Sequence, residues 1–127
     1  MSKDYWVESE FLTLFAAWQV RHDYATVERI AADFMMPLAR HYCRARRQKV
    51  AKATGVVITH DDMDDIAQIA AIRCVRYLDR FDPSRGFKAH NYFTQIAARA
   101  VTEPITKILT RRMKEESLDA MLVVHSI

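Results

Sequence analysis

The chain has 127 residues, 50% of them hydrophobic and 28% charged, with 19 Lys+Arg against 16 Asp+Glu and a formal net charge of +3. This length predicts one domain, which buries about two thirds of its unfolded surface and needs no disulfide to hold its core. Two Gly and three Pro are too few for a β-rich chain with many tight turns, while its abundant Ala, Leu, Met, Arg and Glu favour helix. A net charge of +3 is too small to establish a polyanionic partner, so the distribution of the charge matters.

The sequence excludes several classes of protein. Its N-terminus lacks a signal-peptide pattern and no apolar run approaches the ~20 residues of a membrane span, so we expect a cytoplasmic protein without membrane contact. Cys43 and Cys74 lack the paired spacing of a zinc site and are predicted to be reduced, buried thiols. No nucleophile–base pattern, Gly-rich phosphate loop or catalytic metal motif occurs, so we expect no enzymatic activity and no cofactor.

Two helices are predicted in the N-terminal half. The first covers about residues 9–20, with Ser9 as its cap and Phe11, Phe15 and Trp18 on its buried face. The second begins near Thr26, and Pro37 predicts a kink in it.

The far end of the second helix is basic, because six cations and no acid occur between Arg40 and Lys52. Gly55 then ends the helix. This basic run is either a solvated helix face or a surface that contacts phosphate through Arg44, Arg46 and Arg47, and the absence of interleaved acids favours the second interpretation.

A third helix is predicted to open at Thr59 with an acidic first turn, which suits the positive end of the helix dipole. A divalent-metal site that includes His60 is the alternative, but the chain supplies no matching ligand set. The predicted core stripe of this helix is Ile66, Ile69, Ala70, Cys74, Tyr77, Leu78 and Phe81. Its second face mixes polar and aliphatic groups and predicts a docking surface. That face consists of Asp65, Gln68, Ile72, Val75 and Arg76.

The segment from Asp82 to Gly86 is predicted to be a turn, and a fourth helix is predicted from about Ala89. Pro104 predicts a kink or break in that helix, and the cations at 111–114 suit its C-terminus. Its core candidates are Tyr92, Phe93, Ile96, Ala97, Ala100, Val101, Ile105 and Ile108. The expected architecture is an all-α compact bundle of about four to five helices over residues 1–115, followed by a short acidic and apolar peptide tail at 116–127.

Three pieces of the sequence, in this order, resemble region 2 of the sigma-70 family of bacterial RNA polymerase specificity factors. They are D-x-x-Q at 65–68, F-D-P-S-R-G-F-K at 81–88, and a helix bearing Tyr92. The chain is too short for regions three and four, so it is most similar to the small late-transcription sigma factors of T-even-like bacteriophages. K-A-H-N-Y-F-T-Q at 88–95 resembles the phage version of that segment, and the tail peptide S-L-D-A-M-L at 117–122 resembles their sliding-clamp-binding peptide.

The resemblance implies that the docking helix packs on the coiled coil of the polymerase β′ subunit. Asp65 and Gln68 would supply polar contacts there and Val75 an apolar one, with Ile72 and Arg76 on the same face. Ile69 and Ala71 stand where the family usually has Glu and Asn. Either the polymerase-docking face is more apolar than in housekeeping factors, or other residues such as Arg76 supply the polar contacts. In the tail, Leu118, Met121 and Leu122 would contact the clamp.

The resemblance also implies capture of flipped, non-template bases of a minus-ten-like promoter element, on aromatic groups beside cations. Tyr92 and Phe93 cannot both face outward, and Tyr92 is predicted to be the outer one. The predicted DNA-binding residues are Arg80, Arg85, Phe87, Lys88, Tyr92, Gln95, Arg99, Thr102, Arg44, Arg46 and Arg47.

The chain departs from housekeeping factors where they carry a pair of Trp that wedge the upstream edge of the bubble. Gln95 and Ile96 stand there, which predicts an A/T-rich element and an opening step that depends on other proteins, with a separate coactivator as a candidate partner. Two alternatives stay open: a sigma mimic that occupies the polymerase without reading promoters, and a helical structural protein whose turn matches by chance.

Overall fold

Five α-helices build the chain in the computed structural model, which describes residues 6–125. They are α1 (Glu8–Arg21), α2 (Tyr24–Ile30), α3 (Met36–Thr54), α4 (His60–Arg76) and α5 (Ala89–His125). A π-helical turn, Ala31–Met35, joins α2 to α3, and two 3₁₀ turns, Leu78–Arg80 and Pro83–Arg85, lie between α4 and α5. The described residues contain no strand, which confirms the predicted all-α fold. None of their helices is long and apolar enough to span a bilayer.

The core is an aromatic cluster where α1 and α5 meet the π-helical turn before α3 and the segment after α4. Ring centroids lie 5.6 Å apart for Phe11 and Phe93 and 5.3 Å apart for Phe15 and Phe81. Such pairs contribute about 0.5–1.5 kcal/mol each beyond the burial of their area. The fully or nearly buried rings are Trp6, Phe11, Phe15, Phe34, Phe81 and Phe93. The N-terminal part of α5 packs on α1, α3 and α4, and α3 also packs on α4.

Local sequence signals place two of the helix ends correctly and a third wrongly. Thr59 caps α4, because its hydroxyl accepts a hydrogen bond from the Asp62 N–H at 3.1 Å. Gly55 ends α3 in the left-handed region at φ 74°, as its lack of a Cβ allows. The predicted Ser9 cap is wrong: Val7 is the N-cap residue and α1 begins at Glu8, one residue before Ser9.

Pro37 lies in the first turn of α3, directly after the π-helical turn. A proline has no N–H and its ring crowds the carbonyl four residues earlier. The turn before it is widened to an i→i−5 pattern, in which the Met36 N–H donates to the Ala31 carbonyl. The irregularity expected at Pro37 is therefore a π-helical turn.

The expected break at Pro104 is absent, because α5 continues through it to His125. Ala100, Val101 and Ile105 are buried on both sides of the proline, and this packing holds the helix where one backbone hydrogen bond is lost. The prediction that Arg111, Arg112 and Lys114 mark the helix end is wrong for the same reason. Residues 116–125, expected as a separate tail, continue α5 as helix, and side chains 110–122 are exposed.

The carboxylate of Glu8 connects the start of α1 to the start of α5. Glu8 Oε2 accepts a hydrogen bond from the Ala89 N–H at 2.7 Å, and Oε1 accepts from the His90 N–H at 3.2 Å. Oε1 also accepts from the indole N–H of Trp6 at 3.0 Å. A negative group that binds the first N–H groups of a helix also complements the helix dipole. Glu8 therefore caps α5 from a position 81 residues earlier in the chain.

We expect Glu8→Gln to lower the free energy of unfolding by about 1–2 kcal/mol, because two charge-assisted hydrogen bonds become neutral or are lost. Urea denaturation measures this change, and hydrogen exchange should be faster at the Ala89 and His90 amides. Glu10→Gln is the matched control, since Glu10 is an exposed carboxylate in the same first turn of α1. Equal effects of the two substitutions would contradict the capping role of Glu8.

Candidate polymerase and nucleic-acid interfaces

One exposed face of α4 carries both polar and aliphatic side chains. We define the α4 face as Asp65, Gln68, Ile69, Ile72 and Arg76, all of them exposed. Their spacing of three, four and seven residues places them on one stripe of a helix. Ile69 and Ile72 are each 53% exposed, which is unusual for two neighbouring aliphatic groups on a small protein.

This face corrects the predicted assignment in two places. Ile69 was predicted in the core stripe and instead lies on the exposed face, because Ala67, Ala70 and Ala71 fill the buried side of the helix. Val75 was predicted on the docking face, and it is half-buried and packs against the core at the edge of that face. Ala71 is 3% exposed, so it offers no surface where the family usually has a polar group.

A groove of about 410 Å³ separates the end of α4 from α5. From α5 it receives one stripe of side chains at three- and four-residue spacing, and from α4 it receives an arginine and a tyrosine. Its lining consists of Arg73, Tyr77, Tyr92, Gln95, Ile96, Arg99 and Glu103. The structure therefore brings together three of the predicted DNA-binding residues, Tyr92, Gln95 and Arg99. Thr102 is half-buried and lies outside the groove.

Tyr92 and Phe93 lie on different sides of α5. Phe93 is 0% exposed in the aromatic core, whereas Tyr92 is half-buried and lines the groove. The Tyr92 ring rests edge-on against Phe93 with centroids 5.0 Å apart. Burial raises the pKa of the Tyr92 hydroxyl, so it stays a neutral donor at physiological pH. Tyr92 is the outer residue of the pair, as predicted.

Arg80 lies beside this groove, in the 3₁₀ turn that follows α4. Its guanidinium stacks over the Tyr77 ring, 4.9 Å from the centroid. A cation on an aromatic face is held by the ring quadrupole and still offers its edge N–H groups to an anion. Tyr77 therefore orients a cation at the mouth of the groove.

The turn before α5 presents an exposed aromatic ring and two cations. Asp82 Oδ1 accepts from the Ser84 N–H at 2.9 Å and from the Ser84 hydroxyl at 2.6 Å, and these bonds lower the pKa of the Asp82 carboxyl. Gly86 ends the turn at φ 82°, as predicted for this position. Phe87 is 66% exposed and, with Lys88, lines a second cavity of about 450 Å³ next to Trp6. Arg85 is also exposed here, on a separate surface from the α4/α5 groove.

The basic residues of α3 do not form one uniform surface. Arg44 is exposed, whereas Arg46 and Arg47 are half-buried. Arg47 reaches the imidazole of His60 in α4, with ring nitrogens 3.4 Å from Nη1. Arg46 lies on a different side of α3 from Arg44, because two residues advance a helix by more than half a turn. Arg44 and Arg46 therefore do not share one side of α3.

The remaining predictions concern the two cysteines, a metal site and the apolar residues near the C-terminus. Cys43 and Cys74 are buried free thiols, and burial raises their pKa to about 11 and about 12 respectively. The described part of the chain holds no cluster of three or more His, Cys, Asp or Glu side chains arranged for a metal ion. Leu118, Met121 and Leu122 lie on the exposed C-terminal part of α5, where Met121 and Leu118 share a shallow apolar cavity with Met113.

Sequence reasoning missed three residues of these surfaces. Arg73 of α4 and Tyr77, the residue that follows α4, face the groove from one side, and Glu103 faces it from α5. Glu103 lies four residues after Arg99, so helical spacing could have placed it on the same side of α5. The pairing of α4 with α5 required the tertiary structure, because no local pattern in α4 indicates which neighbour its side will meet.

The family model for Sigma-70 region 2 matches residues 35–112. No curated protein and no solved structure matches the chain significantly. The matched segment covers more than half of the chain and includes the α4 face, the turn and the groove. It also contains the whole of the D-x-x-Q, F-D-P-S-R-G-F-K and Tyr92 series, which confirms the region 2 resemblance. On this match, and with an all-α fold that exposes those motifs, the chain belongs to the sigma-70 region 2 family, a non-enzymatic transcription-factor domain that binds RNA polymerase and contacts promoter DNA.

Proposed function

We propose that the protein is an initiation factor that docks on the β′ coiled coil of core RNA polymerase through the α4 face. It reads an A/T-rich minus-ten-like element through the α4/α5 groove and the Phe87–Lys88 surface. The observation that carries this proposal is that the α4 face and the groove occupy neighbouring but separate sides of one helix. One rigid element can then hold the polymerase and the DNA at a defined distance from each other.

The groove suits an unstacked base better than a duplex. Tyr92 offers a ring face, and stacking of a base on an aromatic side chain contributes ~1–3 kcal/mol. Gln95 carries an amide that can pair with the edge of an adenine. Arg99 and Arg80 supply cations for the adjoining phosphates. The proposed ligand is accordingly the non-template strand of the promoter, after it has separated.

Run-off transcription tests the proposal most directly. Core polymerase with this protein should initiate on templates with an A/T-rich minus-ten element and not on templates with that element scrambled. A template that carries a pre-melted bubble should initiate more efficiently than its duplex counterpart, because Gln95 and Ile96 form a weaker wedge than a pair of Trp. Equal initiation from bubble and duplex templates would show that strand opening is not the weak step.

A second function is favoured by Gln95 and Ile96, which stand in place of the two Trp. A region 2 domain without the wedge could occupy the β′ coiled coil and exclude another sigma factor without reading promoters. Competition with the resident sigma factor, in the absence of any specific initiation, would identify this mimic.

We further propose that the protein serves late genes of a bacteriophage in the bacterial cytoplasm, together with a separate coactivator. The C-terminal part of α5 would bind the sliding clamp through Leu118, Met121 and Leu122. What supports this role is the exposure of these three apolar side chains, at 56%, 57% and 59%, on a helix that extends past the core.

Removal of residues 117–127 is expected to abolish clamp binding and to leave core polymerase binding and thermal stability unchanged. The reason is that side chains from Thr110 to Leu122 are exposed and contribute nothing to the buried core. Pull-down with purified clamp and with core polymerase measures both interactions. Val20→Ala is the control, since Val20 is an 84% exposed aliphatic side chain of α1, outside the C-terminal part of α5. Clamp-stimulated transcription by the truncated protein would contradict the assignment.

For the basic residues of α3, we expect Arg44→Gln to reduce the salt dependence of promoter binding by the holoenzyme. Each phosphate contact contributes a slope of about −0.9 in a plot of log K against log salt for duplex DNA. Arg46→Gln, a matched change of a half-buried arginine two residues away, should leave the slope unchanged and lower the melting temperature instead. Identical slopes for wild type and Arg44→Gln would remove Arg44 from the DNA interface.

A further inference from the structure

An ion pair closes one end of the α4/α5 groove. Arg73 Nη1 lies 3.3 Å from Glu103 Oε2, and this contact joins α4 to α5 across 30 residues of chain. Both side chains line the groove with Tyr92 and Arg99. They are 40% and 58% exposed, so the pair is in contact with solvent.

An exposed pair of this kind contributes little to stability, because water screens the charges and two long side chains must be held in one geometry. A competing anion can therefore replace the carboxylate at low cost. The guanidinium group recognises carboxylates and phosphates with the same fork of N–H donors. Glu103 thus occupies, on Arg73, the place that a phosphate oxygen can take.

Glu103 is also the acidic group in a groove that otherwise suits a polyanion. Its neighbours in the lining are two arginines, two tyrosines, a glutamine and an isoleucine. A carboxylate at this position repels a DNA backbone and neutralises one of the two arginines. It weakens any binding that does not also gain contacts along the rest of the groove.

We propose that Arg73 and Arg99 form a subsite for a backbone phosphate of single-stranded DNA, and that Glu103 holds this subsite closed in the free protein. The proposal rests on the proposed function, in that the groove binds nucleic acid. When DNA enters, a phosphate displaces Glu103 from Arg73. Glu103 then acts as a specificity-determining residue, because strands that also place a base on Tyr92 compensate for the displaced pair.

Glu103→Gln tests the proposal with the full chain and a fluorescein-labelled thymidine oligonucleotide, measured by anisotropy over a range of salt concentrations. We expect binding to tighten about fivefold to tenfold, since one like charge close to a phosphate is removed. The salt slope should change by less than about 0.7, the value for one phosphate contact on a single strand, because a phosphate contacts Arg73 in both proteins. Glu116→Gln is the charge-matched control, because Glu116 is an exposed residue of α5 outside the groove.

The double variant Arg73→Gln/Glu103→Gln should not show the tighter binding expected of Glu103→Gln alone. This result would show that the change in affinity depends on the Arg73–Glu103 pair and not on net charge. Melting temperatures confirm that all variants are folded. If Glu103→Gln and Glu116→Gln bind equally, the subsite is wrong while DNA binding by the groove stands. If neither wild type nor any variant binds the oligonucleotide, both the subsite and the proposed DNA-binding role of the groove are wrong.

Discussion

Replacement of Ile72 with arginine is expected to weaken binding of core RNA polymerase by about 100-fold or more and to leave the melting temperature unchanged. Ile72 is 53% exposed at the centre of the α4 face, between Gln68 and Arg76. Central apolar groups of an interface typically contribute 2 kcal/mol or more, and each ~1.4 kcal/mol is a factor of ten. An arginine there would also carry an uncompensated charge into the buried centre of the contact.

The matched control is Val57→Arg. Val57 is an aliphatic residue with 59% exposure in the loop between α3 and α4, so the same kind of substitution is made outside the α4 face. Anisotropy of labelled protein titrated with core polymerase measures both affinities. Ile69→Arg should behave like Ile72→Arg, because both side chains lie on the same stripe. Equal affinities for Ile72→Arg and Val57→Arg would place the polymerase contact elsewhere on the molecule.

The parts of the fold that the sequence predicted well are those set by neighbouring residues. The start of α4 after its Thr59 cap and the turn from Asp82 to Gly86 each depend on hydrogen bonds or dihedral angles within a few residues. Such interactions are present in any context that leaves the segment intact, which explains why local patterns identify them.

Features that depend on distant partners were not predictable in the same way. Glu8 caps a helix that begins 81 residues later, and only the folded chain brings the two together. Ile69 has the hydropathy of a core residue, but three alanines already fill that side of α4 and leave its side chain outside. Pro104 breaks a helix in isolation and is tolerated here because buried residues on both sides hold α5 together.

The same distinction applies to the functional surfaces. Gln95 and Arg99 share a polar face by helical spacing and the resemblance adds Tyr92, whereas the structure adds the opposing wall of Arg73 and Tyr77. The surface formed by Phe87 and Lys88 is local to one turn. The α3 arginines appeared as a single basic run in the sequence, but burial and the contact of Arg47 with His60 divide them. A count of the cations along a sequence therefore overestimates how many of them one ligand can contact.

Tyr92 and Phe93 give the second large prediction, because two adjacent aromatic residues are expected to fail in different ways. Phe93→Ala should lower the free energy of unfolding by about 3–5 kcal/mol, the cost of a cavity left by a fully buried ring. That is a large fraction of the stability of a small domain, so much of the protein should be unfolded or aggregated. Urea denaturation measures the change.

Tyr92→Leu is the sharper test of function. Leucine keeps an apolar group against Phe81 and Phe93, whose centroids lie 5.2 Å and 5.0 Å from that of Tyr92, but it removes the ring face that a base would stack on. We expect stability to change by less than about 1.5 kcal/mol and promoter opening to fall about 10- to 100-fold, the loss of ~1–3 kcal/mol of stacking. Tyr92→Phe should retain most activity, because it keeps the ring and loses only the hydroxyl. Run-off transcription on a duplex template measures these differences, and wild-type activity of Tyr92→Leu would mean that no base stacks on Tyr92.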